Sequence, residues 1–225
     1  PRIFRIPWRS NRHGCNANQR QRFSCDSDRV LSRCFATALL LLASTASGAD
    51  VGTIDVDRFI QSARDQIGIT VGYDPAYRVI AYPSGDVPIA TGVCTDVITR
   101  ALRAQKIDLQ KLVHEDMRAN FLRYPKRWGL KRADKNIDHR RVPNLMTFLA
   151  REKTALPITS RRADYSPGDI VTWDLGGGIT HIGIVSNRKT PLGIPLVVHN
   201  IGRGTQEENI LFRYTIIGHY RLKTQ

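Results

Sequence analysis

Up to about residue 151 apolar residues recur every three or four positions. After Pro157 they recur every second position, and this change of period limits the chain more than any other feature. The first half predicts helices. Asp55 opens one with Phe59, Ile60, Ala63 and Ile67 on a single face and Gly68 as its stop. Gly92-Val93-Cys94-Thr95-Asp96 opens a second, with Val97, Ile98, Ala101 and Leu102 inward and Arg100 and Arg103 toward water. Asp108 to Phe121 and Pro143 to Arg151 are the third and fourth, separated by a basic, irregular stretch. The second half predicts strands at 169–175, 180–186, 196–200 and 212–222, broken by Gly176-Gly177-Gly178, Pro191, Pro195 and Gly202. Helices followed by a meander imply an α+β domain, with the N-terminal helices packed on an antiparallel sheet.

The 225 residues suit one such domain and leave a head of different character. With 41% apolar residues, scattered rather than massed, the composition excludes a disordered chain or a polytopic membrane protein. The net charge of +14 is uneven, because residues 1–33 hold eight arginines against Asp26 and Asp28. An apolar run from Cys34 to Ala46 and the small residues Ser47-Gly48-Ala49 complete the layout of a secretory signal peptide. The run is shorter than the roughly 20 residues that span a bilayer, so no stable membrane anchor is expected. Residues 1–49 therefore read as a basic extension and signal peptide, and residues 50–225 as the folded domain, delivered to the periplasm or secreted. The basic part is long for such a leader; a start at Val30 or Leu31 would restore an ordinary length.

Cleavage there would remove Cys15, Cys25 and Cys34, leaving Cys94 as the one thiol of the mature chain. A lone cysteine in an oxidising compartment is either a buried small hydrophobe or a reactive group. Its place in the first turn of a helix favours the second, since orphan N–H groups and the helix dipole stabilise a thiolate. Three histidines, His181, His199 and His219, fall on successive predicted strands. His181 shares a face with Gly183, which leaves room for a helix or substrate, while Ile182 and Ile184 point into the core. A triad follows from these positions, with Cys94 as nucleophile, His181 as base and His199 as orienter; Asn200 is the alternative third member.

Tyr165-Ser166-Pro167-Gly168-Asp169-Ile170-Val171, the Gly-rich turn, His181-Ile182-Gly183-Ile184-Val185 and Val198-His199 resemble the strand half of the NlpC/P60 cysteine peptidase superfamily. That resemblance implies a papain-like fold with the nucleophile on Cys94, the base on His181 and the third polar residue on His199. Val93-Cys94-Thr95-Asp96 departs from the superfamily's usual Asp-Cys-Ser-Gly, so its recognition of a peptide amino terminus does not transfer. A wider set resembles a bacterial family catalogued as domain of unknown function 1287. It comprises Gly92 to Asp96, His114-Glu115-Asp116-Met117, Asn136-Ile137-Asp138-His139-Arg140-Arg141 and Gly218-His219-Tyr220-Arg221. The expected activity is an exported thiol hydrolase cleaving an amide or peptide bond of cell-wall peptidoglycan. A lipid or thioester acyl hydrolase or transferase on the same triad, and a non-catalytic envelope-binding module, are the alternatives.

Tyr82, Asp96, His139 and Asn200 are the candidate substrate-binding residues; His114 and His219 read as structural. No cofactor or metal is expected, because no helix carries a His-x-x-x-His pair and a zinc site from His181, His199 and His219 would leave Cys94 unexplained. The basic pairs Lys126-Arg127, Lys131-Arg132, Arg140-Arg141 and Arg161-Arg162 are dispersed and not interleaved with aromatics, which argues against nucleic acid and for an anionic envelope polymer as partner.

Overall fold

The computed structural model describes residues 51–225. The extension and signal-peptide reading of residues 1–49, with its three cysteines, lies outside them. In chain order the elements are β1 (Thr53–Ile54), α1 (Val56–Arg64), β2 (Gly72–Tyr73), β3 (Thr91–Gly92), α2 (Cys94–Arg103), α3 (Leu109–Ala119) and α4 (Val142–Arg151). The strands β4 (Ile170–Asp174), β5 (Thr180–Lys189), β6 (Pro195–Asn200), β7 (Thr205–Glu208), β8 (Thr215–Tyr220) and β9 (Lys223–Thr224) follow. The described residues are thus a mixed α+β domain with four α-helices and an antiparallel five-stranded sheet in the order β7-β6-β5-β4-β8. None of these helices is long and apolar enough to cross a membrane.

Local chemistry sets the helix starts. Asp55 accepts the Arg58 N–H and Asp108 the Lys111 N–H, each satisfying an orphan donor of a first turn. α1 stops at Arg64, three residues before Ile67, which is consequently left partly exposed. Gly176, Gly177 and Gly178 all adopt positive φ, closing the β4–β5 turn as their composition predicts.

The sheet has two apolar faces. Ile170, Ile182, Ile184 and Val198 pack with Cys94, Val97, Ile98 and the other helices. Val171, Trp173, Val185 and Val197 form a second cluster on the opposite face, closed by Ile210 and Leu211. The predicted alternation therefore holds, with Ile182 and Ile184 turned to the helices and His181 and His199 turned away from them.

Two expectations are corrected. Arg100 is buried rather than solvated, because the loop between β2 and β3 folds over α2 and gives it Asp86 at 3.0 Å and the Thr91 carbonyl at 3.0 Å. His219 is not beside the other two strand histidines. β8 lies beyond β4 from β5, and its His219 hydrogen-bonds Asp169 at 2.7 Å.

Candidate active site

The backbone before Cys94 is extended at Val93 and turns helical at Cys94. Valine offers no capping hydroxyl, so Asp96 reaches back and accepts the Val93 N–H at 2.7 Å. The same carboxylate takes the Arg140 guanidinium at 3.0 Å, and Arg140 also donates to the carbonyls of Asp74 and Ala76. Asp96 is therefore a positioning residue with both oxygens engaged, not a substrate contact. Asn200 donates from Nδ2 to the carbonyls of Gly72 and Gly92, each at 3.1 Å. It pins β2 and β3 to the end of β6, two residues before the thiol, and so holds the start of α2 rather than an imidazole.

Cys94 is 3% exposed and lines a cleft of about 430 Å³ with Tyr73, Tyr77, Trp128, Arg140 and Thr180. The N–H groups of Ile182, Thr95 and Cys94 lie near enough to its sulfur to favour the anion, and the Tyr73 hydroxyl is a further polar neighbour. Those N–H groups favour a thiolate, but burial outweighs them and the thiol is pushed up to about 12. This corrects the expectation of a thiol ionised near neutrality. Helix-end donors stabilise the anion by less than removal from water destabilises it. Burial also raises the Tyr73 phenol to about 12, with the Cys94 and Asp96 charges adding to it.

His181 and His199 are brought together, with Nε2 of the first 3.0 Å from Nδ1 of the second. Their rings meet edge to face at 5.1 Å, and the Trp173 ring lies 5.8 Å from His181. Burial, reinforced by the neighbouring imidazole, lowers His181 to about 3; burial lowers His199 to about 4 against the pull of Glu208. Both rings are neutral at rest. Glu208 Oε2 stands 3.2 Å from His199 Nε2, close enough for an ion pair though off the line of a well-formed hydrogen bond. A carboxylate only accepts, so the tautomer of His199 that faces Glu208 with its Nε2 proton leaves Nδ1 as the acceptor. His181 then donates from Nε2, which leaves its Nδ1 as a lone pair.

Cys94 and this histidine pair approach β5 from opposite faces, which the sequence reading did not anticipate. The β5–β6 ladder is paired at Ile184↔Val198 and Val185↔Val197 and does not continue to His181. There the Ile182 N–H meets the sulfur, so thiol and imidazole flank one peptide unit. The space over Gly183 is not open to a helix or substrate. A Cβ there would lie 2.6 Å from Val197 Cγ1 and 3.1 Å from His199 Cβ.

Tyr82 and His139 do not line the Cys94 cleft. Tyr82 contacts Glu115 at 3.4 Å and places its ring against His114 at 5.3 Å. His139 is buried with Nδ1 unpartnered, and burial lowers it to about 4. Tyr73, Arg140 and Glu208 are the site residues that sequence reasoning missed. Arg140 stood inside a quoted motif, whereas Glu208 sits on a strand with no apolar alternation to reveal it.

Comparison with known proteins agrees over the same stretch. The family described as "Domain of unknown function (DUF1287)" matches residues 60–222. An "Uncharacterized protein YijF" of Escherichia coli (strain K12) is 58% identical over 159 residues, 71% of this chain and 78% of that protein. No solved structure matches. The matched residues contain α2, the histidine pair and the elements that hold them, and the chain belongs to the family of domain of unknown function 1287.

Proposed function

We propose that this protein is a papain-like thiol hydrolase of the NlpC/P60 kind that cleaves an amide or peptide bond. The observation that carries the reading is the chain of groups at one peptide of β5. Cys94 Sγ meets the Ile182 N–H, His181 precedes that N–H, and His199 and Glu208 line up behind His181.

With a neutral thiol and neutral imidazoles there is no ion pair at rest. Attack therefore couples two events, the sulfur bonding to the acyl carbon and its proton passing to the lone pair on His181 Nδ1. Because the two side chains stand on opposite faces of β5, that transfer requires the imidazole to turn round the end of the strand toward the cleft or a water to carry the proton between them. The imidazolium formed keeps its Nε2 hydrogen bond to His199, which Glu208 backs. The N–H groups of Cys94 and Thr95, at the positive end of α2, stabilise the developing oxyanion. His181 then protonates the leaving amine and activates the water that releases the acyl group from sulfur. Peptidoglycan is the substrate we favour, reached by export through the signal-like residues 29–49.

Digestion of purified peptidoglycan, with the products identified by mass, tests this. Wild-type protein should release fragments, Cys94→Ala none and His181→Ala none above background. Release that survives Cys94→Ala would overturn the thiol mechanism. The separate faces of thiol and imidazole favour one second reading, an envelope-binding module that does no chemistry; it predicts saturable sedimentation with intact peptidoglycan and no released product. Export has its own test, since an uncleaved protein confined to the cytosol would refute it.

A further inference from the structure

A second cavity of about 870 Å³ adjoins the Cys94 cleft, with Tyr77 lining both. Its wall carries Arg118 from the last turn of α3 and Lys131, Arg132 and Lys135 from the loop that follows. Asp134 is the one carboxylate on the wall, and it already accepts from the Tyr77 hydroxyl at 3.1 Å and from the Asn136 N–H at 2.9 Å.

Many arginines elsewhere in the domain are matched. Arg64, Arg78, Arg100, Arg140, Arg151 and Arg221 each pair with a carboxylate. None of the ion pairs among the described residues includes Arg118, Lys131, Arg132 or Lys135. Lys135 has only the Tyr82 ring, 5.7 Å from its ammonium. Four like charges around a concavity repel one another and focus a positive potential into it. At the floor, His114 gives Nδ1 to the buried Asp138 at 3.1 Å, so its Nε2 edge is the one left for the cavity. Guanidinium- and ammonium-bearing residues lining a volume typical of small-ligand sites offer a receptor for phosphoryl or carboxylate oxygens.

We propose that this cavity is an anion-binding subsite that takes a multiply charged phosphoryl or carboxylate group. Its use in turnover rests on the thiol hydrolase reading: a substrate reaching across Tyr77 would place its scissile carbonyl at Cys94 and its anionic group here. Binding itself does not require that reading.

Isothermal titration of the full chain at fixed ionic strength, with inorganic pyrophosphate and separately with tricarballylate, tests the proposal. At least one probe should bind saturably, and the tighter of the two names the group as phosphoryl or carboxylate. Arg118→Gln with Arg132→Gln should weaken that binding about tenfold or more, the loss expected when charge-assisted contacts are removed. Lys153→Gln with Lys189→Gln removes the same charge from exposed positions elsewhere and should leave the affinity unchanged. Cys94→Ala should bind as wild type does, which separates failure of the subsite from failure of the thiol chemistry. Absence of saturable binding by both probes, or equal weakening by both double substitutions, overturns the proposal.

Discussion

Alkylation of Cys94 in the folded protein should be slow, and the structure gives the size of the effect. A thiol raised to about 12 is ionised to about one part in 100,000 at pH 7, whereas an unfolded thiol near 8.5 is ionised to about 3%. Since the thiolate is the reacting form, iodoacetamide should modify folded Cys94 about 3,000-fold more slowly than the same residue in urea, and its 3% exposure slows the folded form further. Because the sequence also holds Cys15, Cys25 and Cys34, modification must be read at the Cys94 peptide by mass. Burial, not the imidazole, sets this ionisation, so His181→Ala should leave the resting rate nearly unchanged. Stability carries the same signature. An acid raised on folding adds stability that is complete below its unfolded value and is lost as pH climbs from about 8.5 toward 12, or about 2 kcal/mol by pH 10. Alkylation of folded Cys94 at neutral pH as fast as in urea would refute this account and restore a thiolate–imidazolium pair.

His139, His181 and His199 are all buried and held neutral, with values lowered to about 4, 3 and 4, so folding excludes protons that the unfolded chain binds below about 6.5. Their stabilisation is present above that pH and lost as pH falls toward 4; the urea midpoint should drop between pH 7 and 5, and a flat profile would contradict it. Asn200→Ala removes the side-chain donor from the Gly72 and Gly92 carbonyls, of which Gly92 keeps the Asp74 N–H at 3.2 Å, and should cost about 1–3 kcal/mol by urea denaturation, with a loss under about 0.5 kcal/mol counting against the pinning role. Gly183→Ala drives a methyl into Val197 and His199 and should cost about 1–3 kcal/mol while displacing the imidazole pair, detectable as altered His181 and His199 ring resonances. Glu208→Gln removes the charge behind His199 and should lower turnover on peptidoglycan more than it lowers the melting temperature; equal loss in both would mean Glu208 only supports the fold.

The sequence by itself determined what depends on near neighbours. The change of period at Pro157 separated helices from sheet. Asp55 and Asp108 marked helix starts through their own hydrogen bonds, and strand alternation put Ile182 with Ile184 and His199 opposite Asn200. Tertiary structure decided which face of the sheet the helices cover, and hence that Cys94 and His181 reach β5 from opposite sides. Only long-range pairing could place β8 beyond β4, add Thr205–Glu208 at the edge with Glu208 behind His199, and fold Asp86 over Arg100. The resting state of Cys94 was decided there too. A helix start is written in adjacent residues, but the loss of water around a thiol comes from every element packed against it, and that loss outweighs the helix's own N–H groups.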